Sequence, residues 1–127
     1  MGGARKRILA IDDELEILSS VREDLEAEGY EVCTANNGAA GLELARVFRP
    51  DMIFLDIKMP NMDGFQAMQE IRKSENFRSL PIIAVTAKAM KGDREICLRA
   101  GANEYVTKPV DVEILLKNVY SLLNLSK

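Results

Sequence analysis

Short apolar runs alternate along this chain with amphipathic segments of helical length. The runs cover residues 8–11, 30–34, 52–55, 81–85 and 104–106, and the amphipathic segments cover 14–28, 37–48, 63–74, 88–100 and 111–123. A run as short and as continuously apolar as 52–55 is typical of a strand buried on both faces of a parallel sheet. Strands that alternate with helices form βαβ units with right-handed crossovers. The sequence therefore predicts an α/β fold whose parallel sheet is covered by helices on both sides.

Residues that start or end helices stand at the predicted helix boundaries. Asn37, Asp63 and Asp111 precede the second, third and fifth helices, where their side chains can accept hydrogen bonds from the free N–H groups of the first turn. Gly29 follows the first helix and Gly101 follows the fourth, and glycine commonly ends a helix in this position. These residues predict where the helices begin and stop.

The predicted fourth and fifth helices differ in how many apolar side chains they can pack against the core. The predicted fourth helix contains Gly92, which costs about 1 kcal/mol relative to alanine inside a helix, and its main inward side chains are Met90 and Cys97. The fifth helix has a long inward stripe, formed by Val112, Leu115, Leu116, Val119, Leu122 and Leu123. Ile114 lies off this stripe, so we expect it to be exposed.

The composition limits the function. With 127 residues and a net charge of −3, the chain is expected to form one domain over residues 1–127, preceded by a flexible segment at 1–7, and no overall basic field points to nucleic acid. The absence of histidine excludes Ser-His-Asp and Cys-His catalysis, and it excludes a phosphohistidine on this chain. No apolar run approaches the ~20 residues of a membrane span. Cys33 and Cys97 are expected to be reduced thiols in a cytoplasmic protein.

Polar residues gather where the predicted strands end. Asp12 and Asp13 follow the first strand, Asp56 the third, Thr86 the fourth and Lys108 the fifth. Open α/β sheets bind ligands beyond the carboxyl ends of their strands. Three neighbouring carboxylates require a cation, and oxygen ligands without thiol or imidazole select Mg²⁺ or Mn²⁺. Because an ammonium and a hydroxyl suit phosphoryl oxygens, the residues predict an aspartate that receives a phosphoryl group with Mg²⁺.

The motifs around these residues resemble those of a known family, the receiver domains of two-component response regulators. They are Ile-Asp-Asp-Glu at 11–14, Asp-Ile-Lys-Met-Pro at 56–60, Met-Asp-Gly at 62–64, Val-Thr-Ala at 85–87 and Tyr-Val-Thr-Lys-Pro at 105–109. The resemblance covers essentially the whole chain. It implies a doubly wound, flavodoxin-like (βα)5 fold with a five-stranded parallel sheet in the order 2-1-3-4-5. The segment 86–108 further resembles receivers found in hybrid sensor kinases.

The resemblance implies a role for each acidic residue of the site. Asp56 is the phosphoacceptor. Asp12 and Asp13 bind Mg²⁺ together with Asp56, and Asp13 is the more direct ligand of the pair. The backbone carbonyl of Lys58 is the remaining protein ligand.

The resemblance also implies roles for three further residues, two that bind the phosphoryl group and one that acts as a switch. The Thr86 hydroxyl turns toward the phosphoryl group and the Lys108 ammonium bonds one of its oxygens. Together with Asp56 they assist the chain's own phosphorylation and its slow hydrolysis. Tyr105 is the aromatic switch residue, whose ring is expected to rotate inward when Thr86 turns. The peptide bond between Lys108 and Pro109 is expected to be cis.

Each of these residues also has a purely structural interpretation. Asp12 or Asp13 can cap the first helix, Asp56 can form a turn, 108–109 can form another turn, and Tyr105 can be a half-buried aromatic of the sheet. Their joint placement at one edge of the sheet, in charge-complementary types, favours the functional interpretation over these.

The sequence thus predicts a signalling switch operated by phosphorylation, not an enzyme with a separate substrate. Its phosphoryl group is expected from a histidine kinase or a histidine phosphotransfer protein. Its downstream target is expected on the face of the fourth helix, fifth strand and fifth helix, with no nucleic acid and no membrane insertion. Two alternatives stay open. One is a small Mg²⁺-dependent phosphatase working through an aspartyl-phosphate, although such enzymes usually carry an acid where this chain has Lys58. The other is a docking module that is never phosphorylated.

Overall fold

The computed structural model describes residues 5–58, 64–87 and 91–124. In chain order these form β1 (Arg7–Ile11), α1 (Leu15–Ala27), β2 (Glu31–Ala35), α2 (Gly38–Phe48), β3 (Met52–Asp56), α3 (Gly64–Lys73), a 3₁₀ turn (Glu75–Phe77), β4 (Ile82–Thr86), α4 (Asp93–Ala100), β5 (Glu104–Thr107) and α5 (Val112–Asn124). The predicted alternation of strands and helices is confirmed.

The strands form one parallel sheet in the order β2-β1-β3-β4-β5, which confirms the order implied by the resemblance. The chain first places β2 on one side of β1 and then crosses back to add β3, β4 and β5 on the other side. The strand order therefore reverses beside β1. Ile11 lies opposite Leu55 across β1 and β3. Asp12 follows Ile11 and Asp56 follows Leu55, so both aspartates lie at the same edge of the sheet, at the point where the strand order reverses. Folds of this kind bind ligands there.

The two faces of the sheet carry separate apolar cores. Alternating residues of β1 show the division, because Leu9 and Ile11 face one core while Ile8 and Ala10 face the other. The first core is completed by buried residues of α2, α3 and α4, and the second by those of α1 and α5. Within the described ranges no helix is long and apolar enough to cross a membrane.

The predicted helix caps Asn37 and Asp111 are confirmed by hydrogen bonds. The Asn37 side chain accepts a hydrogen bond from the N–H of Ala40 at 2.8 Å, and the Asp111 carboxylate accepts one from the N–H of Glu113 at 2.9 Å. Gly29, with φ of +95°, follows the end of α1. The predicted cap Asp63 lies outside the described residues.

The predicted start of α4 is wrong. The helix begins at Asp93, and the described residues before it, Lys91 and Gly92, form a turn. Gly92 adopts φ of +87°, a left-handed conformation that glycine reaches without strain, and so it precedes the helix and does not weaken its interior. Cys97 is buried as predicted, whereas Met90 lies outside the described residues.

Two smaller expectations also need correction. Val112 is 38% exposed and not inward, and it lies in an exposed stretch at 111–114 where α5 begins. Ile114 is exposed, as predicted. Arg7 belongs to β1 and not to a flexible segment, since its N–H donates to the Asp51 carboxylate at 2.8 Å.

Candidate functional site

Three carboxylates meet at the edge of the sheet where β1 and β3 end. One oxygen from each of Asp12, Asp13 and Asp56 can be chosen so that all three lie within 4.8 Å of one another. Asp12 and Asp56 are buried, while Asp13 is exposed. The structure therefore brings together the acidic residues that the sequence predicted to share a site.

Asp12 has two different oxygen environments. Its Oδ1 accepts a hydrogen bond from the backbone N–H of Glu14 at 2.8 Å, so the structural interpretation of Asp12 as a turn residue before α1 holds in part. Its Oδ2 lies 3.0 Å from the Lys108 ammonium, yet no residue in the described part of the chain donates a well-directed hydrogen bond to it. A buried carboxylate oxygen without such a bond is costly, which suits a position facing a metal ion.

Asp56 is held between a backbone donor and the ammonium. Its Oδ1 accepts the N–H of Lys58 at 3.1 Å, and its Oδ2 lies 3.6 Å from Lys108 Nζ. Burial raises the pKa of Asp56 to about 7, and the negative charge of Asp12 adds to this rise against the opposing effects of Lys58 and Lys108. The carboxylate therefore needs more positive charge than the described side chains supply.

Lys108 brings a positive charge into the site, and its side chain is only 9% exposed. Its ammonium lies 2.5 Å from Glu14 Oε1, closer than to either Asp12 or Asp56. Although burial works against the charge, hydrogen bonds to Glu14 and Asp12 leave the pKa of Lys108 above its ordinary value. The sequence prediction missed Glu14, because an acidic residue there is also typical of a helix start. The Lys108–Pro109 peptide bond is cis, as expected.

Thr86 lies at the same edge, at the end of β4, whereas Tyr105 lies within β5 opposite Ala84. Thr86 is fully buried, and its carbonyl accepts the N–H of Lys108 at 2.8 Å. The Tyr105 hydroxyl is already buried, with no hydrogen-bond partner among residues 5–58, 64–87 and 91–124. Burial, followed by the negative charge of Asp93, raises the pKa of Tyr105. Since the hydroxyl already lies inside, an inward rotation from solvent is not needed to bury it.

The site fits a hard divalent cation. Its donors are carboxylate oxygens, and Oδ2 of the buried Asp12 receives no directed hydrogen bond from the described residues. That the backbone carbonyl of Lys58 is a further ligand of the metal ion stays a prediction. A cavity of about 550 Å³ elsewhere, between α2 and α3, is lined by residues such as Leu42, Ile71 and Phe77 and contains none of the acidic cluster.

Comparison with known proteins places this architecture in a family. A family model described as the response regulator receiver domain matches residues 8–120. Protein PilH of Pseudomonas aeruginosa is 40% identical over 117 residues, which cover 92% of this chain and 97% of PilH. The polar-differentiation response regulator DivK of Brucella anthropi is 36% identical over 93% of this chain and 96% of its own.

Solved structures agree with that assignment. The chemotaxis protein CheY4 of Vibrio cholerae superimposes with a TM-score of 0.89 at 32% identity, over 94% of this chain and all of that one. The receiver domain of the sensor histidine kinase PA1611 from Pseudomonas aeruginosa superimposes with a TM-score of 0.86 at 37% identity, over 94% of this chain and 98% of that one. That structure has a magnesium ion coordinated in its active-site cleft.

This chain belongs to the response regulator receiver family. Receiver domains are signalling switches operated by phosphorylation and not enzymes that turn over a separate substrate, as the sequence predicted. They bind Mg²⁺ at an acidic pocket and interact with histidine kinases or phosphotransfer proteins and with downstream targets.

Proposed function

We propose that Asp56 is the phosphoacceptor, and that it receives its phosphoryl group from a phosphohistidine on a histidine kinase or a phosphotransfer protein. The observation that carries this proposal is its position. Asp56 is 2% exposed, its oxygen lies within 4.8 Å of oxygens of Asp12 and Asp13, and the Lys108 ammonium is 3.6 Å away. Burial, followed by the charge of Asp12, raises the pKa of Asp56 to about 7, so a nearby cation would favour its ionised form.

The transfer is a single displacement at phosphorus. An Asp56 carboxylate oxygen forms the new P–O bond while the P–N bond to the donor imidazole breaks, and the bonding electrons return to that nitrogen. Lys108 donates to a phosphoryl oxygen and stabilises the charge that develops there. Thr86, buried at the end of β4, supplies a hydroxyl to another oxygen. Hydrolysis later returns the carboxylate and inorganic phosphate.

Asp12 and Asp13 hold Mg²⁺ in this proposal, together with Asp56 and the Lys58 carbonyl; Mn²⁺ has the same ligand preference. When bound, Mg²⁺ neutralises charge on the carboxylate and on the transferring phosphoryl oxygens. The residues themselves set the geometry. The backbone N–H of Lys58 fixes Asp56 Oδ1, which leaves Oδ2 on the side of Lys108.

The phosphatase alternative is less well supported by the chain. Such enzymes usually carry a carboxylic acid two residues after the aspartyl nucleophile, where it can protonate the leaving group and activate water. Two residues after Asp56 this chain has Lys58, which is exposed and cannot supply that group. Loss of a site residue would favour the docking-module alternative, and Asp56, Thr86 and Lys108 are all present at the sheet edge.

The proposed downstream interface consists of exposed apolar residues on α4 and α5. Ile96 on α4 and Ile114 on α5 are each 51% exposed, and Val112 at the start of α5 is 38% exposed. β5 separates these two helices along the chain and carries Tyr105. A protein that binds this face would contact the elements that follow Thr86 and Lys108, the two groups proposed to respond to phosphorylation.

Intact-mass spectrometry after incubation with acetyl phosphate tests the function. The wild type should gain the mass of one phosphoryl group in the presence of Mg²⁺ and lose it on hydrolysis, and EDTA should prevent the gain. Asp56→Asn should gain none, whereas Asp51→Asn, which changes the residue just before the first residue of β3, should behave as wild type. Continuous release of phosphate from small phosphoesters would favour a phosphatase. No modification of the wild type would favour a docking module.

A further inference from the structure

The Lys108 ammonium has a partner that the phosphorylation scheme does not use. Glu14 Oε1 lies 2.5 Å from Nζ, compared with 3.0 Å for Asp12 Oδ2 and 3.6 Å for Asp56 Oδ2. Asp12 and Asp56 are buried, but the Glu14 side chain is 58% exposed. The shortest contact of the cation is thus with the carboxylate that lies farthest outside the acidic cluster.

The contact is not a by-product of helix capping. Glu14 is the residue immediately before α1, where an acidic side chain often accepts an N–H of the first turn. Its carboxylate makes no such bond, and Asp12 supplies the acceptor for the N–H of Glu14 itself. The Glu14 side chain is directed instead to a residue 94 positions away in the sequence.

The ammonium has three N–H donors and one positive charge to share. In this structure, hydrogen bonds to Glu14 and Asp12 engage the ammonium, and at 3.6 Å the Asp56 oxygen is beyond hydrogen-bond distance. A phosphoryl group on Asp56 carries negative charge into the same neighbourhood. Glu14 would then compete with it for Lys108 and would also repel it.

We propose that Glu14 is a positioning residue that draws Lys108 toward the outside of the site and so weakens the hold of the site on the phosphoryl group. This inference rests on the proposed function of Asp56. Removing the Glu14 charge releases the ammonium and removes the repulsion, and both effects act in the same direction. Because Glu14 is more than half exposed, solvent screens the pair, and we expect an effect of roughly threefold in affinity.

Beryllofluoride binding measures this hold without turnover. Glu14→Gln should bind beryllofluoride about threefold more tightly than wild type in the presence of Mg²⁺. Glu14→Asp keeps the charge but is one methylene shorter, so it should give part of that increase. The matched control is Glu16→Gln, which removes an equal charge from the first turn of α1 at an exposed residue. Its beryllofluoride affinity should stay at the wild-type value, and Mg²⁺ affinity should change equally in both Gln variants.

A second readout needs neither metal nor phosphoryl group. The ¹⁵N and ¹H signals of the Lys108 ammonium should shift in Glu14→Gln and stay unchanged in Glu16→Gln. Equal or weaker beryllofluoride binding by Glu14→Gln would overturn the inference, as would an unchanged ammonium signal. A wild type that binds no beryllofluoride and accepts no phosphoryl group would overturn the proposed function instead, and the ammonium signal would still report on the Glu14 contact.

Discussion

Asp56 combines burial with a charge that the described side chains around it do not fully compensate. Its pKa is raised to about 7 by burial and by Asp12, so the folded protein holds this proton more tightly than the unfolded chain does. A raised carboxyl pKa contributes stability that is fully present below the unfolded pKa of about 3.9 and is lost as the pH rises through about 7. Ionised Asp56 therefore destabilises the metal-free fold above neutral pH.

Asp56→Asn should accordingly stabilise the metal-free protein at pH 8. The expected gain in the free energy of unfolding is about 1–3 kcal/mol, the usual cost of an uncompensated buried polar group. The gain should shrink as the pH falls to 5, because the wild-type carboxyl is then protonated in the folded state. Urea unfolding at both pH values, with EDTA present, measures the difference. Asp51→Asn is the control, and a destabilised Asp56→Asn at pH 8 would contradict the proposed electrostatics.

The α3 helix packs so closely against the end of β3 that its first residue has no room for a side chain. A Cβ placed on Gly64, the first residue of α3, would lie 2.4 Å from Ile57 Cα and 2.6 Å from the Asp56 carbonyl oxygen. Both are backbone atoms directly at the end of β3. A side chain here would push α3 away from the strand that carries the proposed phosphoacceptor.

Gly64→Ala should therefore lower the free energy of unfolding by about 3 kcal/mol, at the upper end of overpacking costs. Gly41→Ala is the comparison, because its Cβ would meet the Ile11 side chain, with Cδ1 nearest at 2.4 Å, and not backbone. A side chain adjusts more readily than backbone, so the expected loss there is about 1 kcal/mol. Urea unfolding of both variants measures the order, and a Gly64→Ala protein as stable as Gly41→Ala would contradict the close approach.

The elements that the sequence predicted well are those with a signal in their own residues. The apolar run 52–55 and the cap Asn37 mark β3 and α2 without reference to the rest of the fold. The start of α4 was mispredicted because Gly92 is compatible both with a helix interior and with the left-handed turn that it forms. The contact of Glu14 with Lys108 joins residues far apart in the sequence, and no local pattern distinguishes it from an ordinary helix-start glutamate.

The two ends of α4 differ in their contacts with neighbouring residues. After its last residue the Arg72 guanidinium of α3 donates to the carbonyl of Gly101 at 2.7 Å and to that of Phe77 at 2.8 Å. The helix starts after Gly92, which is exposed; a Cβ built there would meet no atom of the described residues within 4 Å. A change transmitted from Thr86 should therefore displace the start of α4 more than its end.

Beryllofluoride should consequently shift the NMR signals of apolar methyl groups on α4 and α5. Ile96 and Ile114, on the proposed interface, should change because α4 moves relative to its neighbours. Val47, which is 76% exposed on α2, should stay unchanged and serves as the control. Methyl spectra with and without beryllofluoride make the comparison. Shifts confined to residues beside Asp56 would indicate a rigid domain whose phosphoryl group is contacted directly by the partner.

The most direct test of the proposed role of Asp56 is chemical mapping of the modified residue. Borohydride reduces an aspartyl-phosphate to homoserine, which tandem mass spectrometry locates in the sequence. After treatment with acetyl phosphate and Mg²⁺, homoserine is expected at position 56 and not at positions 12, 13 or 51. Homoserine at any of those three positions, with an unmodified Asp56, would contradict the assignment of the phosphoacceptor.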